Sequence, residues 1–323
     1  MPNSMAAIGS YDGLPIEDAR SLVDLELAVP TLRPRDVLVR VQAVSVNPVD
    51  VKRRAALEHD DAPTVLGYDA AGIVEATGAG VETLQAGDEV WYAGDVNRQG
   101  SNAELQAVDE RIVACRPGSL SFAEAAALPL TTITAWEALF ERLRLTASSE
   151  GTLLIVGGAG GVGSVMIQLA KQLTRLRVLA TASRPESRDW VCALGADQVV
   201  DHRDLVDSVR AHGVEEVDYV FSPHSAGNIE AYAELLRPFG EIVAIDEPPG
   251  LELLPLKAKS IAWHWELMFT RPMFETDDIS QHKHLLSRVA ELVDEQRIRT
   301  TMTESIEDFS AAGMMTGKVV VHR

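Results

Sequence analysis

The 323-residue sequence has few cysteines, few aromatic side chains, no long apolar run and no excess of positive charge. Its two cysteines, Cys115 and Cys192, cannot build a disulfide framework, so we expect a cytoplasmic protein. The absence of 18 consecutive apolar residues predicts no membrane span, and the first residues show no secretory signal pattern. The net charge of −19 opposes binding to nucleic acid or to an anionic membrane surface. We therefore expect a small-molecule substrate as the partner.

One segment, residues 153–170, changes from an apolar strand pattern to a glycine-rich turn and at once to an apolar helix pattern. That order is typical of a dinucleotide-binding turn, in which glycines permit a tight turn, close approach of the backbone to a pyrophosphate, and close packing of helix on strand. The phosphates then lie at the helix N-terminus. The predicted cofactor-binding residues of this turn are Gly157, Gly158, Ala159, Gly160, Gly161, Val162 and Gly163.

A second strand pattern, residues 177–183, ends where an NAD-binding protein usually carries an acidic residue for the ribose hydroxyls. Here Ser183, Arg184 and Arg188 supply a hydroxyl and two guanidinium groups, which suit a 2′-phosphate. These residues predict NADP rather than NAD. The alternative is that both arginines are solvated and that Glu186 contacts the ribose.

The length predicts two domains with different patterns. From about residue 151, strand and helix patterns alternate, which predicts a doubly wound parallel sheet in an α/β domain. Before about residue 120, short alternating strands are separated by Pro, Gly and Asp turns, which is an all-β pattern. Between them, Ser121 and Glu124 form a capping-box signature that opens a long predicted helical stretch reaching Leu143.

An amphipathic helix is predicted near the C-terminal end, followed by a last strand. Its apolar face comprises Leu285, Leu286, Val289, Leu292 and Val293.

Several motifs together resemble the medium-chain dehydrogenase/reductase superfamily, and within it the quinone oxidoreductase-like and zinc-type alcohol dehydrogenase-like branch. The matching segments are residues 45–50, 66–72, 87–90, 128–136, the glycine turn, 194–197 and 317–320. The resemblance implies a GroES-like, mostly β catalytic domain from residues 1–122 and 260–323, a Rossmann NADP-binding domain from residues 123–259, and a cleft between them that holds the active site. Relatives are commonly dimers, so a homodimer is expected.

The sequence departs from the zinc-using members of that superfamily. They carry a catalytic cysteine where this sequence has Asn47, a Gly-His-Glu element where it has residues 67–69, and a four-cysteine lobe where it has residues 95–100. Catalytic zinc needs at least three protein ligands, mostly thiolate or imidazole. We therefore predict no metal. The remaining candidate pair, His282 and His284, diverges on a helix and is expected to be solvated.

The resemblance places Asn47 and Tyr68 beside the nicotinamide as the candidate catalytic residues. The Asn47 amide can donate to a substrate oxygen or a cofactor hydroxyl, and Tyr68 can donate a hydrogen bond or a proton. The alternatives are a turn residue before Pro48 and a packed aromatic side chain.

Three further cofactor contacts are implied by the resemblance. Thr131 and Thr134 would approach the nicotinamide, with helix packing as the alternative. His202 would stack on adenine or pair with the 2′-phosphate, with a solvated loop histidine as the alternative.

Residues 259–274 form the densest aromatic stretch of a sequence with only 5% aromatic residues. We predict that Trp265 or Phe269 lines the substrate pocket, whereas a dimer face or core packing would also use such residues.

These features predict a zinc-independent, NADPH-dependent oxidoreductase that reduces quinones or α,β-unsaturated carbonyls by hydride transfer. The alternatives are a zinc-type alcohol dehydrogenase or aldehyde reductase, and a non-catalytic NADPH-binding redox sensor. The segment 305–316 is shorter than the helix that relatives carry before the last strand.

Overall fold

The computed structural model describes residues 3–306 and 318–322. The chain forms two compact units, one from residues 1–130 and 269–323 and the other from residues 131–268. We call them the β unit and the nucleotide unit.

Sixteen strands lie within the described residues. They are β1 (Ser4–Ser10), β2 (Val23–Ala28), β3 (Asp36–Ser45), β4 (Thr64–Val65), β5 (Asp69–Thr77), β6 (Glu89–Ala93), β7 (Leu105–Asp109), β8 (Ala114–Cys115), β9 (Thr152–Ile155), β10 (Arg177–Thr181), β11 (Gln198–Val200), β12 (Val217–Ser222), β13 (Leu236–Ala244), β14 (Ala262–Trp265), β15 (Met302–Ile306) and β16 (Lys318–His322).

Nine α-helices accompany these strands in the same part of the chain. They are α1 (Pro48–Ala55), α2 (Phe122–Ala126), α3 (Pro129–Trp136), α4 (Gly161–Leu173), α5 (Pro185–Ala193), α6 (Leu205–Arg210), α7 (Ile229–Leu235), α8 (Thr270–Phe274) and α9 (Gln281–Asp294). A π-helical turn, Glu137–Arg142, follows α3, and short 3-10 helices span Glu110–Ile112, His202–Asp204 and Leu254–Lys259.

The nucleotide unit contains a six-stranded parallel sheet in the order β11-β10-β9-β12-β13-β14. Consecutive residues Leu153, Leu154 and Ile155 of β9 are all buried, because helices pack on a parallel sheet from both faces. This burial explains the continuous apolar runs of the sequence and confirms the predicted doubly wound sheet.

The β unit contains two largely antiparallel sheets, as its alternating pattern predicted. One has the order β2-β1-β4, and the other has the order β15-β16-β3-β5-β6-β8 with β7 paired to β3. Valines of β3 and β5 form its core together with Tyr92 and Ile112.

The boundaries between the two units lie at 130/131 and 268/269, eight to nine residues after the expected boundaries at 122/123 and 259/260. Helix α2 packs against β3 and β5, so it belongs to the β unit. Strand β14 pairs in parallel with β13 and extends the six-stranded sheet to Trp265. Both shifts come from tertiary pairing, which local sequence patterns do not report.

The long helix predicted from Ser121 to Leu143 is wrong as one element. Its start is confirmed, since Ser121 Oγ accepts from Glu124 N and the Glu124 carboxylate accepts from Ser121 N. The chain then breaks before Pro129, which has no N–H for an intrahelical hydrogen bond, and α3 begins there. The π-helical turn interrupts the pattern again after Trp136.

The predicted C-terminal amphipathic helix is confirmed as α9, and its apolar face is buried. The segment between β15 and β16, including most of the short stretch 305–316 and Gly317 of the last motif, lies outside the described residues. Among the described helices, none has the length and apolar character that a bilayer crossing requires.

The nucleotide unit buries two carboxyl groups side by side. The π-helical turn carries Glu137, and Glu266 follows β14; both side chains are buried. The Arg142 guanidinium Nε donates to Glu266 Oε2 at 2.9 Å. Burial and the adjacent Glu137 carboxyl raise the pKa of Glu266 to about 9. The two adjacent carboxyl groups therefore retain a proton at neutral pH.

This pair predicts a pH-dependent stability. The pKa of Glu266 is higher in the folded protein than in the unfolded chain, so its contribution is full below the unfolded pKa and is lost as pH rises towards 9. We expect the wild-type Tm to fall between pH 6 and pH 9. Glu266→Gln stays neutral throughout, so at pH 9 it should melt about 5 °C or more above the wild type.

The control is Glu230→Gln, which changes an exposed carboxylate on α7. Melting curves of the three proteins at pH 6 and pH 9 measure the effect. An equal fall in Tm for wild type and Glu266→Gln would contradict the retained proton.

Candidate functional site

The glycine turn joins β9 to α4 at the carboxyl edge of the parallel sheet. Gly157 has a φ of +68°, in the left-handed region that favours glycine. Its N–H donates to Thr181 Oγ1 at 2.9 Å, and the Gly158 N–H donates to the Thr181 carbonyl at 3.1 Å. The last residue of β10 therefore fixes the turn.

Helix α4 begins directly on this turn. A Cβ at Gly163 would come within 2.8 Å of Gly158 Cα, so the helix can approach the turn this closely only with glycine there. The first turn of α4 carries no acidic side chain. Its N-terminal N–H groups and the helix dipole are thus suited to an anionic phosphate, and the turn fits a dinucleotide.

The predicted 2′-phosphate residues follow β10 at the same edge of the sheet. Ser183, Arg184 and Arg188 are all exposed, and so is Glu186. The buried Ser187 side chain fixes the loop backbone, because Ser187 Oγ donates to the Arg184 carbonyl at 2.9 Å. The loop thus presents two guanidinium groups at the edge that carries the glycine turn, while Glu186 remains an alternative ribose contact.

His202 follows β11, which pairs with β10, so it reaches the same edge as well. Its side chain is 53% exposed, with Nδ1 3.9 Å from Asp201 Oδ1. Hydrogen bonds from Arg203 hold the pKa of Asp201 well below its usual range. The His202 side chain is thus largely exposed at this edge, beside the Asp201 carboxylate.

Thr131 and Thr134 lie three residues apart on α3, and both are buried. This spacing places them on one face of the helix.

In the β unit, Asn47 is buried and hydrogen-bonded on its amide nitrogen. Nδ2 donates to Asp69 Oδ2 at 2.9 Å and to the Ser45 carbonyl at 3.2 Å. The Asn47 N–H donates to Asp50 Oδ2 at 2.6 Å at the start of α1. Asn47 therefore stands at the turn into α1, as the alternative interpretation expected, and is also part of a buried polar cluster.

Asp69 is the residue that sequence reasoning missed. Its carboxylate is fully buried and accepts from Asn47 Nδ2 and from the Leu130 N–H, the latter at 2.6 Å. Asp69 thus orients the Asn47 amide. Its position directly after Tyr68, in the segment that lacks zinc ligands, was the signal that could have identified it.

Tyr68 is buried beside Phe269, with ring centroids 5.1 Å apart in an edge-to-face arrangement. Burial raises the pKa of Tyr68 to about 12, and the charge and hydrogen bond of Arg53 oppose that rise. The hydroxyl therefore stays protonated over the whole neutral range and keeps the O–H group that a hydrogen-bond donor needs.

The two predicted pocket aromatics are in different surroundings. Phe269 packs on Tyr68 in the β unit, whereas Trp265 is about half exposed at the end of β14 and packs edge-to-face on Trp263. The structure thus brings Phe269, but not Trp265, together with a predicted catalytic residue within one unit.

The donor set of the described residues does not fit a catalytic zinc ion. They contain no group of three or more His, Cys, Asp and Glu side chains arranged to hold a metal. Burial raises the pKa of Cys115, which disfavours the thiolate that zinc prefers. The expectation that His282 is solvated is wrong: its side chain is buried on the apolar face of α9, whereas His284 is exposed.

Comparison with known proteins matches both halves of the chain. The sequence model of the alcohol dehydrogenase GroES-like domain matches residues 33–137, and that of the zinc-binding dehydrogenase matches residues 161–271. A zinc-type alcohol dehydrogenase-like protein of Staphylococcus aureus is 39% identical over 98% of this chain and 100% of its own length.

Two further similarities are informative. The chloroplastic NADPH-dependent alkenal/one oxidoreductase of Arabidopsis thaliana is 33% identical over 79% of this chain and 66% of its own length. The crystal structure of a candidate zinc-dependent alcohol dehydrogenase from Rhizobium etli has a TM-score of 0.94 and 46% identity, covering 99% of this chain and 98% of that one.

Proposed function

Because this chain belongs to the medium-chain dehydrogenase/reductase superfamily, with the predicted GroES-like and Rossmann folds, we propose that it is a zinc-independent, NADPH-dependent reductase of quinones or α,β-unsaturated carbonyls. The observation that carries this proposal is the buried pair of neighbouring residues Tyr68 and Asp69 with Asn47. Tyr68 and Asn47 carry hydrogen-bond donors, and Asp69 accepts from the Asn47 amide, in the segments where zinc-using relatives carry metal ligands.

The cofactor proposal depends on the edge of the six-stranded sheet. The glycine turn and the start of α4 would hold the pyrophosphate, and Ser183, Arg184 and Arg188 would hold the 2′-phosphate. NADPH, when bound, supplies the hydride. The NADPH-dependent relative from Arabidopsis supports this choice over NAD.

The family names imply zinc, but the residues of this chain do not fit it. An amide, a phenol and a carboxylate stand at Asn47, Tyr68 and Asp69, and Cys115 is the sole cysteine of the β unit. We therefore assign no step to a metal ion.

The proposed chemistry uses conjugation in place of a Lewis acid. When a hydride reaches the β-carbon of an enone, negative charge develops on the carbonyl oxygen. A fixed hydrogen-bond donor stabilises that charge in the transition state. Tyr68 Oη is such a donor, since its pKa of about 12 keeps the proton on the oxygen until charge builds on the substrate.

Asn47 has a different role in this mechanism. Its amide nitrogen already donates to Asp69 and to the Ser45 carbonyl, and the Ser45 bond is the longer of the two. Donation to a substrate oxygen or a cofactor hydroxyl would replace that longer bond while Asp69 keeps the amide oriented. Asn47 is therefore proposed as the secondary donor.

Replacing Arg184 tests the cofactor preference. Arg184→Ala should weaken NADPH binding by about 1.5 to 3 kcal/mol, the range for a hydrogen bond to a charged partner, and leave NADH binding nearly unchanged. Titration calorimetry with both cofactors measures the difference.

Arg175→Ala is the matched control, because Arg175 precedes β10 and is exposed beside Glu150. It removes the same charge at the opposite end of the strand and should leave both affinities unchanged. Equal losses for NADPH and NADH in Arg184→Ala would rule out the 2′-phosphate contact.

Removing the Tyr68 hydroxyl tests the proposed donor. Tyr68→Phe keeps the ring that packs on Phe269, so we expect the protein to fold and bind NADPH normally. Its kcat for a simple enone, measured after EDTA treatment, should fall about a hundredfold or more.

Tyr92→Phe controls for the loss of a buried hydroxyl, since Tyr92 Oη donates to Gln106 Oε1 at 2.8 Å elsewhere in the β unit. It should reduce Tm without changing kcat. An unchanged kcat in Tyr68→Phe would exclude Tyr68 as the donor, and activity that appears only with added zinc would refute the metal-free proposal.

A further inference from the structure

A network of hydroxyl groups and one carboxylate joins the loops that follow β12 and β13. Ser225 donates twice to Asp246, from its N–H to Oδ2 and from its Oγ to Oδ1, both at 2.6 Å. Ser222 Oγ lies 3.0 Å from Ser225 Oγ and 2.9 Å from Tyr232 Oη. Four side chains thus fix one loop by hydrogen bonds that connect two strands and a helix.

The network is buried, which makes its geometry specific. Ser222, Ser225 and Tyr232 have no exposed surface, and burial raises the pKa of Tyr232 to about 12. A polar group left without its partner in such surroundings is costly, so the loop is held in one arrangement.

The loop that the network fixes, residues 223–225, lies against the glycine turn. A Cβ at Gly157 would be 3.2 Å from Pro223 Cγ. The Val156 N–H also donates to the Phe221 carbonyl at 3.0 Å, which ties the end of β9 to β12. The loop therefore forms the side of the turn opposite to β10.

The order of the strands indicates that the nicotinamide half of the ligand lies against this loop. In the order β10-β9-β12-β13, the 2′-phosphate loop lies on one side of β9 and residues 223–225 lie on the other. Ligands of such sheets cross the carboxyl edge where the strand order reverses. With the adenosine at β10 and the pyrophosphate at β9, the nicotinamide half must extend over β12.

We propose that Asp246 is a positioning residue that holds the loop 223–225 as the nicotinamide-side wall of the dinucleotide site. The inference rests on the proposed NADPH-dependent function. It adds to that function a residue that strengthens binding of the nicotinamide half of the cofactor. Asp246 acts through Ser225 and touches no part of the cofactor.

The test compares the whole cofactor with its adenosine half. Asp246→Ala should raise the Kd of NADPH at least tenfold, whereas the Kd of adenosine 2′,5′-bisphosphate should change less than twofold. Asp246→Asn keeps one oxygen acceptor for Ser225 and should give an intermediate Kd for NADPH. Titration calorimetry measures each affinity without any need for turnover.

Two further variants complete the design. Ser225→Ala removes the Oγ donor and keeps the N–H bond to Asp246, so it tests the network if Asp246→Ala does not fold. It should weaken NADPH in the same selective way. Glu230→Ala removes an exposed carboxylate from α7 and should change neither affinity.

Selective loss of NADPH affinity supports the proposal. Equal losses for both ligands, or no loss for either, would overturn it while the proposed cofactor stands. If the wild-type protein bound neither ligand, the proposed NADPH-dependent function would fail and this inference with it.

Discussion

The parallel order of the six-stranded sheet is the constraint on which the proposed cofactor site depends. Parallel strands end at a common edge, so the sheet brings together loops that are far apart in the sequence. The glycine turn at 157–163, the arginine loop at 183–188 and the loop at 223–225 all follow neighbouring strands. Hydrogen bonds from the turn to Thr181 and a contact with Pro223 then fix their spacing.

The β unit buries polar side chains around Asp69, and hydrogen bonds join them to one another and to the backbone. Asp69 accepts from Asn47 and from the backbone of Leu130, and Asn47 also caps α1 through Asp50. A buried carboxylate is tolerated when such donors surround it. The structure thus holds an oriented amide at Asn47 and a protonated phenol at Tyr68, the two donors that the proposed mechanism uses.

The sequence predicted the features that depend on local chemistry. The glycine turn, the strand before it, the helix after it and the capping box at Ser121 are confirmed, because each depends on a few neighbouring residues. The continuous helix to Leu143 failed because Pro129 and the π-helical turn interrupt it. The unit boundaries shifted because α2 packs against the strands of the β unit and β14 extends the parallel sheet.

Other features required the three-dimensional structure. Asp69 and Asn47 are 22 residues apart, and Asp246 and Ser225 are 21 residues apart. No periodicity in the sequence links such pairs. The burial of His282 could not be predicted from the sequence either, since it depends on what packs against α9 and not on its spacing from His284. Local patterns therefore located the glycine turn, whereas the residues that orient the proposed site emerged only from the packing.

Transfer of deuterium from [4-²H]NADPH to a simple enone, with both C4 epimers and EDTA-treated protein, tests the central claim most directly. The account predicts that one epimer delivers deuterium to the β-carbon and that the product keeps its carbonyl group. Deuterium on the carbonyl carbon of an alcohol product, or no transfer from either epimer, would contradict it.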